Sequence, residues 1–384
     1  MAYRAEAELL RRYNEEVIEF TRNSDEIRTK GLFGTLQGVI STVWNPFSYS
    51  SLKKVLHSFR PDLVHVHNTF PLHSPSIFYA IKEFNIPTVM TLHNYRIACS
   101  AATAMRGEAS CMECIEKKSV LPALRYGCYR HSKIATAPIA AMIAFHTCID
   151  TWRKNVDAFI TLSEFQKRTL VEYGLPENRV HTKPNFSFSD THPVPFEQRE
   201  DKVVFIGRVY SAKGIHILVQ AWKEWGSDAP LLEIIGDGPM KEELEVSIRG
   251  TSAENSIRFV GQLSHKETMQ KLSSAKLLIL PSICLEGFPM VVQEAYSYGV
   301  GILASESGSL PFLVHDGKTG SLLLPGSSAD IVKKMKSMWY NQPLLQQMSA
   351  NARAEFETLF TSERNYSLLM FIYKEAIHHR QKMQ

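Results

Sequence analysis

Three places in the second half of the chain set charged side chains beside glycines at the ends of apolar runs. The run 203–206 is followed by Gly207-Arg208, and Lys213-Gly214 opens the helical stretch after it. The run 231–235 is followed by Gly236-Asp237-Gly238-Pro239. The run 277–280 is followed by Pro281-Ser282 and Glu286-Gly287-Phe288-Pro289, and the next helical stretch carries Glu294. These residue types suit a nucleoside diphosphate that bears a sugar. Arg208 can grip phosphate oxygens through paired N–H bonds, and Lys213 adds a point charge. Helix N-termini after Gly238 and Gly287 offer unpaired N–H groups and the positive end of the helix dipole. Glu286 and Glu294 can accept hydrogen bonds from ribose or hexose hydroxyls. A lone Gly-Asp-Gly-Pro is more often an ordinary helix start. Three such strand ends in order describe one crevice.

The elements that must position these residues are legible from periodicity. Continuous apolar runs predict strands at 62–67, 87–93 and 157–163, and again at 202–207, 231–236, 257–260, 276–281, 301–305 and 320–324. Continuous rather than alternating runs are those of parallel strands buried on both faces. A further strand is expected at 16–21. Helical spacing covers 215–225, 240–248, 265–273 and 290–298, so the chain reads as doubly wound α/β. A stretch at 187–200 with Pro193 and Pro195 reads as a linker between domains at 1–186 and 201–350, with a final helix over 351–384. A chain of 384 residues can bury two such cores.

Composition narrows the function classes. Apolar content of 44% and charged content of 21% are those of a globular protein, and a net charge of +4 is too small to argue for nucleic acid. The first half is the mildly basic one, which suits an acidic acceptor or an anionic membrane surface as well as plain solvation. The longest apolar run, 134–149, is interrupted by His146 and too short to span a bilayer. The first residues read as a charged helix rather than a secretory leader, so the six cysteines are expected reduced, in the cytoplasm, at most peripheral to the inner face of a membrane.

The second-half motifs resemble those of the retaining glycosyltransferases of family 4, the glycosyl transferases group 1, which have the GT-B fold of two Rossmann-like domains. The matching stretches are Phe205-Ile-Gly-Arg-Val with Lys213-Gly214, Ile235-Gly-Asp-Gly-Pro239, Phe259-Val260-Gly261 and Pro281-Ser282. Most specific is Glu286-Gly-Phe-Pro-Met-Val-Val-Gln-Glu294, similar to the family's two glutamates separated by seven residues. His65-Val-His67-Asn-Thr-Phe and Thr91-Leu-His93-Asn in the first half are similar to family elements as well. The resemblance implies a nucleotide-sugar donor, a glycan or lipid-linked acceptor, polysaccharide biosynthesis and no metal for transfer. It also implies roles: Arg208 and Lys213 on the donor diphosphate, Glu294 on ribose, Glu286 on the donor sugar, and His93 facing that sugar. The backbone of Gly287, Phe288 and Met290 would meet sugar and phosphate, with Gly207, Gly236, Gly238 and Val260 completing the donor site. The family opens with a strand and a glycine-rich loop before the first helix. Neither precedes the helix at 3–13 here, so the first N-terminal strand is read as missing.

Two groups fall outside that pattern. His65 and His67 share one face of a strand without a third ligand of obvious spacing. Cys111-x-x-Cys114 has metal-knuckle spacing, and Cys99 and Cys128 can complete an all-thiolate zinc site or stay free within the insert 95–132. Cys148 and Cys284 read as ordinary thiols. Two rival readings share the scaffold: a nucleotide-sugar 2-epimerase, and a catalytically impaired GT-B protein serving as a scaffold.

Overall fold

The computed structural model describes residues 2–22, 41–70, 72–107, 109–188 and 191–383. Contacts divide the chain into two compact units. One comprises Met1–Gly107, Cys111–Lys183 and Tyr366–Gln384; the other comprises Glu108–Ser110 and Pro184–Asn365.

The first unit is built on a four-stranded parallel sheet of β1 (Val64–Val66), β2 (Thr88–Leu92), β5 (Ala158–Thr161) and β6 (Val180–Thr182), in that order. Two two-residue strands, β3 (Met105–Arg106) and β4 (Ala109–Ser110), lie in neither main sheet. Every residue of β2 and β5 is buried, as continuous apolar runs require. The strand expected at 16–21 is absent. That segment runs irregularly after the helix Ala2–Arg12, where Arg11 bonds the Glu19 carboxylate at 2.8 Å and the Val17 carbonyl. Val17, Ile18 and Phe20 are interrupted by Glu16 and Glu19 without a period of two, and Ile18 stays exposed, so the segment has no sheet face to fill.

The second unit carries six parallel strands in the order β12-β11-β10-β7-β8-β9. In chain order these are β7 (Glu200–Ile206), β8 (Leu231–Ile235), β9 (Ile257–Gly261), β10 (Ala275–Leu280), β11 (Gly301–Ser305) and β12 (Gly320–Leu323). Strand order reverses between β10 and β7, in the middle of the sheet. One apolar core, centred on Trp222, Leu218 and Ile234, covers one side, and another, centred on Tyr296, Leu278 and Phe356, covers the other.

Two expected boundaries differ. Of the expected linker, residues 187–188 and 191–200 are tied to the second unit. Arg199 is buried and donates to the carbonyls of Gly299 at 2.8 Å and Tyr298 at 3.0 Å, and Ser187 bridges Thr361. The final helix is two helices, Gln342–Leu359 and Ser362–Lys382. The second returns to the first unit, where Leu369, Ile372 and Ala376 pack on Val89, Ala158 and Ile160. Among the described residues no helix is long and apolar enough to cross a membrane. The run 134–149 is the helix Lys133–Cys148, whose His146 is buried and bonded to Thr151 and to the Val43 carbonyl, each at 2.8 Å.

Candidate functional site

The reversal between β10 and β7 is where an open parallel sheet leaves a crevice at its carboxyl edge. The two loops that leave those strands carry Gly207-Arg208 and Lys213 on one side, and Pro281-Ser282 and Glu286 on the other. The loops touch. Lys213 Nζ bonds Glu286 Oε1, which also accepts from Ser282 Oγ at 2.6 Å and faces the Cys284 thiol at 3.8 Å. Lys213 and Glu286 are largely buried, with side chains 25% and 12% exposed. Burial alone would lower the Lys213 pKa, but the Glu286 carboxylate outweighs it and raises the lysine pKa. Burial, with Glu286 adding to it, pushes the Cys284 thiol up to about 11, so it stays neutral. Arg208 is exposed, its guanidinium 5.4 Å from the Tyr210 ring centre.

Two glycines let the backbones meet at this edge. Gly214 has φ +68°, and a Cβ there would lie 1.9 Å from the Pro281 carbonyl oxygen. Gly236, at φ +141°, would bring a Cβ equally close to the Gly207 oxygen. Alanine at either position must force the exits of neighbouring strands apart. Gly238 is also held by packing, against the Val209 backbone, and its N–H is taken by the Asp237 carboxylate at 2.7 Å. Gly287 differs, since a Cβ there would meet nothing within 4 Å. Its missing side chain leaves open space rather than serving the packing.

The helices that leave β7, β8 and β10 (Ile215–Trp225, Lys241–Ile248 and Met290–Ser297) begin without a side-chain cap. Those after β9 and β12 have one: Ser264 in a capping box with Glu267, and Ser327 bonded to the Asp330 amide. Uncapped first-turn amides thus gather at the carboxyl edge of the central strands, where an anion can take them. Met290 opens the last of the three helices; Phe288 instead packs into the core beside Phe360. Glu294 lies one turn into that helix and bonds His265 at 3.1 Å, a residue that its sequence gives no reason to choose. Val260, on the edge strand β9, is half-buried against the core.

In the first unit, β1 and β2 place His67 and His93 side by side, ring nitrogens 3.0 Å apart. Burial drives both rings toward the neutral form, so they act as hydrogen-bonding groups rather than cations. His65 is sealed between Tyr373 at 2.9 Å and Thr91 at 2.7 Å. Glu6 supplies the third partner that spacing could not reveal, 3.3 Å from His65, and Lys183 sits 3.2 Å from Glu6. Both His65 nitrogens are engaged and Lys183 sits on Glu6 Oε2, so the group is a polar core network in which Glu6 Oε1 alone has no hydrogen-bond partner among its members. Asn94 and Arg96 continue from His93 along the wall of a pocket at the ends of these strands.

Comparison with known proteins covers both units. The family described as glycosyl transferases group 1 matches residues 189–355, and the one described as glycosyltransferase family 4 matches residues 35–186. The D-rhamnosyltransferase WbpZ of Pseudomonas aeruginosa is 26% identical over 213 residues, 52% of this chain and 52% of that protein. The chain therefore spans about half the length of that relative. The 2-deoxystreptamine N-acetyl-D-glucosaminyltransferase of Niallia circulans is 24% identical over 326 residues, 83% of this chain and 78% of its own. The crystal structure of Anabaena Alr3699/HepE in complex with UDP superposes with a TM-score of 0.63 at 17% identity, covering 96% of this chain and 89% of that one.

Proposed function

Because the chain belongs to the group 1 glycosyl transferases of glycosyltransferase family 4, with their two-domain GT-B fold, we propose that it transfers a sugar from a nucleoside-diphosphate sugar to a glycan or lipid-linked acceptor, with retention at the anomeric carbon. One observation carries the reading. Lys213 and Glu286 meet at the strand-order reversal, on loops locked backbone to backbone, so a cation and a hydroxyl acceptor stand together where a sugar–phosphate bond must lie.

In that reaction the bond from the anomeric carbon to the diphosphate oxygen breaks, and an acceptor hydroxyl forms the new bond on the same face. The hydroxyl proton goes to the departing phosphate oxygen, so no side-chain base is assigned. Charge gathers on the leaving diphosphate. Lys213 and the uncapped amides of Met290–Ser297 are fixed in place before it appears, which makes their stabilisation large, and the exposed Arg208 adds a second cation. Glu286 accepts from the donor sugar and Glu294 from the ribose, with the open space at Gly287 admitting the donor close to the backbone. His93, its ring driven toward the neutral form by burial, offers a hydrogen-bonding group at the end of β2. No metal takes part in the transfer.

The two glutamates are expected to fail differently. Glu294→Gln weakens binding of the bare nucleoside diphosphate by about tenfold or more, the size of a hydrogen bond to a charged group. Glu286→Gln leaves that affinity intact or higher, because Lys213 is released for phosphate, yet turnover falls. Titration calorimetry beside steady-state kinetics checks both, and equal losses of affinity would sink the division of roles. Proton NMR of the product formed from a panel of nucleotide sugars reads the stereochemistry, and an inverted anomer would overturn retention.

The acceptor side favours a lipid-linked substrate at the inner face of a membrane. The stretch 121–134 exposes Leu121 and Ile134, at 69% and 88%, together with Tyr126, among the exposed Arg125, Arg130 and Lys133. Apolar side chains amid basic ones suit an anionic lipid surface. The full chain is expected to float with vesicles containing anionic lipid, and Leu121→Asp/Ile134→Asp to stay in the soluble fraction. Identical flotation of the two proteins would remove the membrane from the proposal.

A further inference from the structure

The first unit's pocket opens at the carboxyl ends of β1 and β2, the edge where a parallel sheet takes its ligands. Thr69 reaches it from the loop after β1, and Asn94 and Arg96 from the loop after β2. Trp152 lines it from the short helix Thr151–Asn155. The pocket has room for a small group only, and no aspartate or glutamate lines it.

Donors without partners gather there. Trp152 is 4% exposed, and its indole N–H has no hydrogen-bond partner. Thr69 is 6% exposed, and its hydroxyl makes no hydrogen bond among the described residues. The Asn94 side-chain carbonyl accepts from the Arg96 amide at 2.9 Å, which leaves its NH2 group to donate. A buried donor left unpaired is costly, so a lining of this kind calls for an acceptor.

Arg96 adds the charge. Its guanidinium lies 4.5 Å from the Phe70 ring centre and 5.5 Å from that of Tyr129, and these two rings fix its position. Among the described residues the Ser100 carbonyl takes one of its five N–H groups, and no carboxylate meets it. Burial opposes the charge and lowers the arginine pKa, an effect that an anion alongside would reverse. His67 and His93, held toward the neutral form, bring no second cation. The nearby Glu6 is already paired with Lys183.

We propose that this pocket binds an oxyanion, held by Arg96 with the Trp152 indole N–H and the Thr69 hydroxyl. On the transferase reading above, on which this part rests, the anion is a phosphate or a sugar carboxylate of the acceptor. A neutral hydroxyl would satisfy Trp152 or Thr69 yet leave the guanidinium without a counter-charge. A phosphate or carboxylate answers all three, through charge-assisted bonds.

The protein has five tryptophans, so isotope labelling of tryptophan gives five indole N–H signals in NMR, and Trp152→Phe identifies the relevant one by its loss. In the full-length wild type that signal is expected to move, with saturation, on titration with inorganic phosphate or glucuronate, and to stay in place with glucose. The tighter-binding anion tells a phosphate-linked acceptor from an acidic sugar. Arg96→Gln should weaken the response about tenfold or more. Lys213→Ala, a change in the second unit, should keep it. The contrast between anion and glucose in the wild type does not depend on Arg96→Gln folding. A Trp152 signal that ignores both anions, that answers glucose equally, or that is unchanged in Arg96→Gln overturns the proposal. The readout needs no turnover, so an unresponsive Trp152 in a protein that transfers sugar removes the anion pocket and leaves the reaction standing.

Discussion

Lys213→Ala is expected to lower turnover by about two to three orders of magnitude, the usual cost of removing a preorganised group that stabilises developing negative charge. The second unit should stay folded, because Lys213 lies in the short turn Ser211–Lys213 and is not part of either core. Loss of the ammonium leaves Glu286 with Ser282 at 2.6 Å and the Cys284 thiol at 3.8 Å. Arg208→Ala should lose a similar factor with no cost in stability, its side chain being exposed. Steady-state rates on variants with unchanged melting curves make the measurement. Turnover like the wild type in Lys213→Ala would remove the diphosphate from this end of the crevice. Alkaline pH gives a second handle. Glu286 raises the Lys213 pKa, so the ion pair's contribution is complete below the ordinary lysine range and fades only as pH rises through the higher folded value. No loss of rate at mildly alkaline pH should trace to this lysine.

The other large effect is expected far from any chemistry. Arg380 lies near the end of the helix Ser362–Lys382, and its guanidinium bonds Asp157 Oδ2 at 2.7 Å with side chains 7% and 2% exposed. The same carboxylate accepts from the Thr88 amide at 2.8 Å and, through its other oxygen, meets His379 at 3.0 Å. Arg380→Ala strands a buried carboxylate at the root of β2 and β5, at a cost of about 3–5 kcal/mol. The expected result is a first unit that melts well before the second, two transitions replacing one in calorimetry. Arg380→Lys should recover part of the loss, since a point charge replaces the fork. An unshifted melting curve for Arg380→Ala would show that Asp157 is served by its remaining partners.

The strands that form both sheets were legible because buried parallel strands leave unbroken apolar runs. Gly301–Ser305 and the helices Ile215–Trp225 and His265–Ser273 fall where their patterns place them. Val180–Thr182 was not, because three residues containing His181 carry no apolar run. The stretch 187–200 reads as a linker from its prolines, yet Arg199 ties it down through carbonyls a hundred residues away. Composition cannot report such a bond. At the site, the glycine and charge motifs mark the strand ends correctly. They do not distinguish glycines beside open space from glycines that admit another backbone: Gly287 is of the first kind, Gly214 and Gly236 of the second. Partners such as His265 for Glu294 and Glu6 for His65 lie far off in sequence, on elements that only folding brings near.

The return of the last helix to the first unit also bears on how the protein is made. A ribosome releases the chain from its N-terminus, and Lys183 completes the first sheet's neighbourhood 183 residues before Tyr366 appears. At about 5–20 residues per second, that interval is roughly 10–40 s. Throughout it, Val89, Ala158 and Ile160 lack the Leu369, Ile372 and Ala376 cover, and Asp157 lacks Arg380. The first unit is thus begun before the second and completed after it. Its nascent form presents an uncovered apolar face and a stranded carboxylate while the second unit, continuous from Pro184 to Asn365, is being made. A folding helper that binds apolar surface on nascent chains has a defined client stage here, and emergence of the helix Ser362–Lys382 ends it.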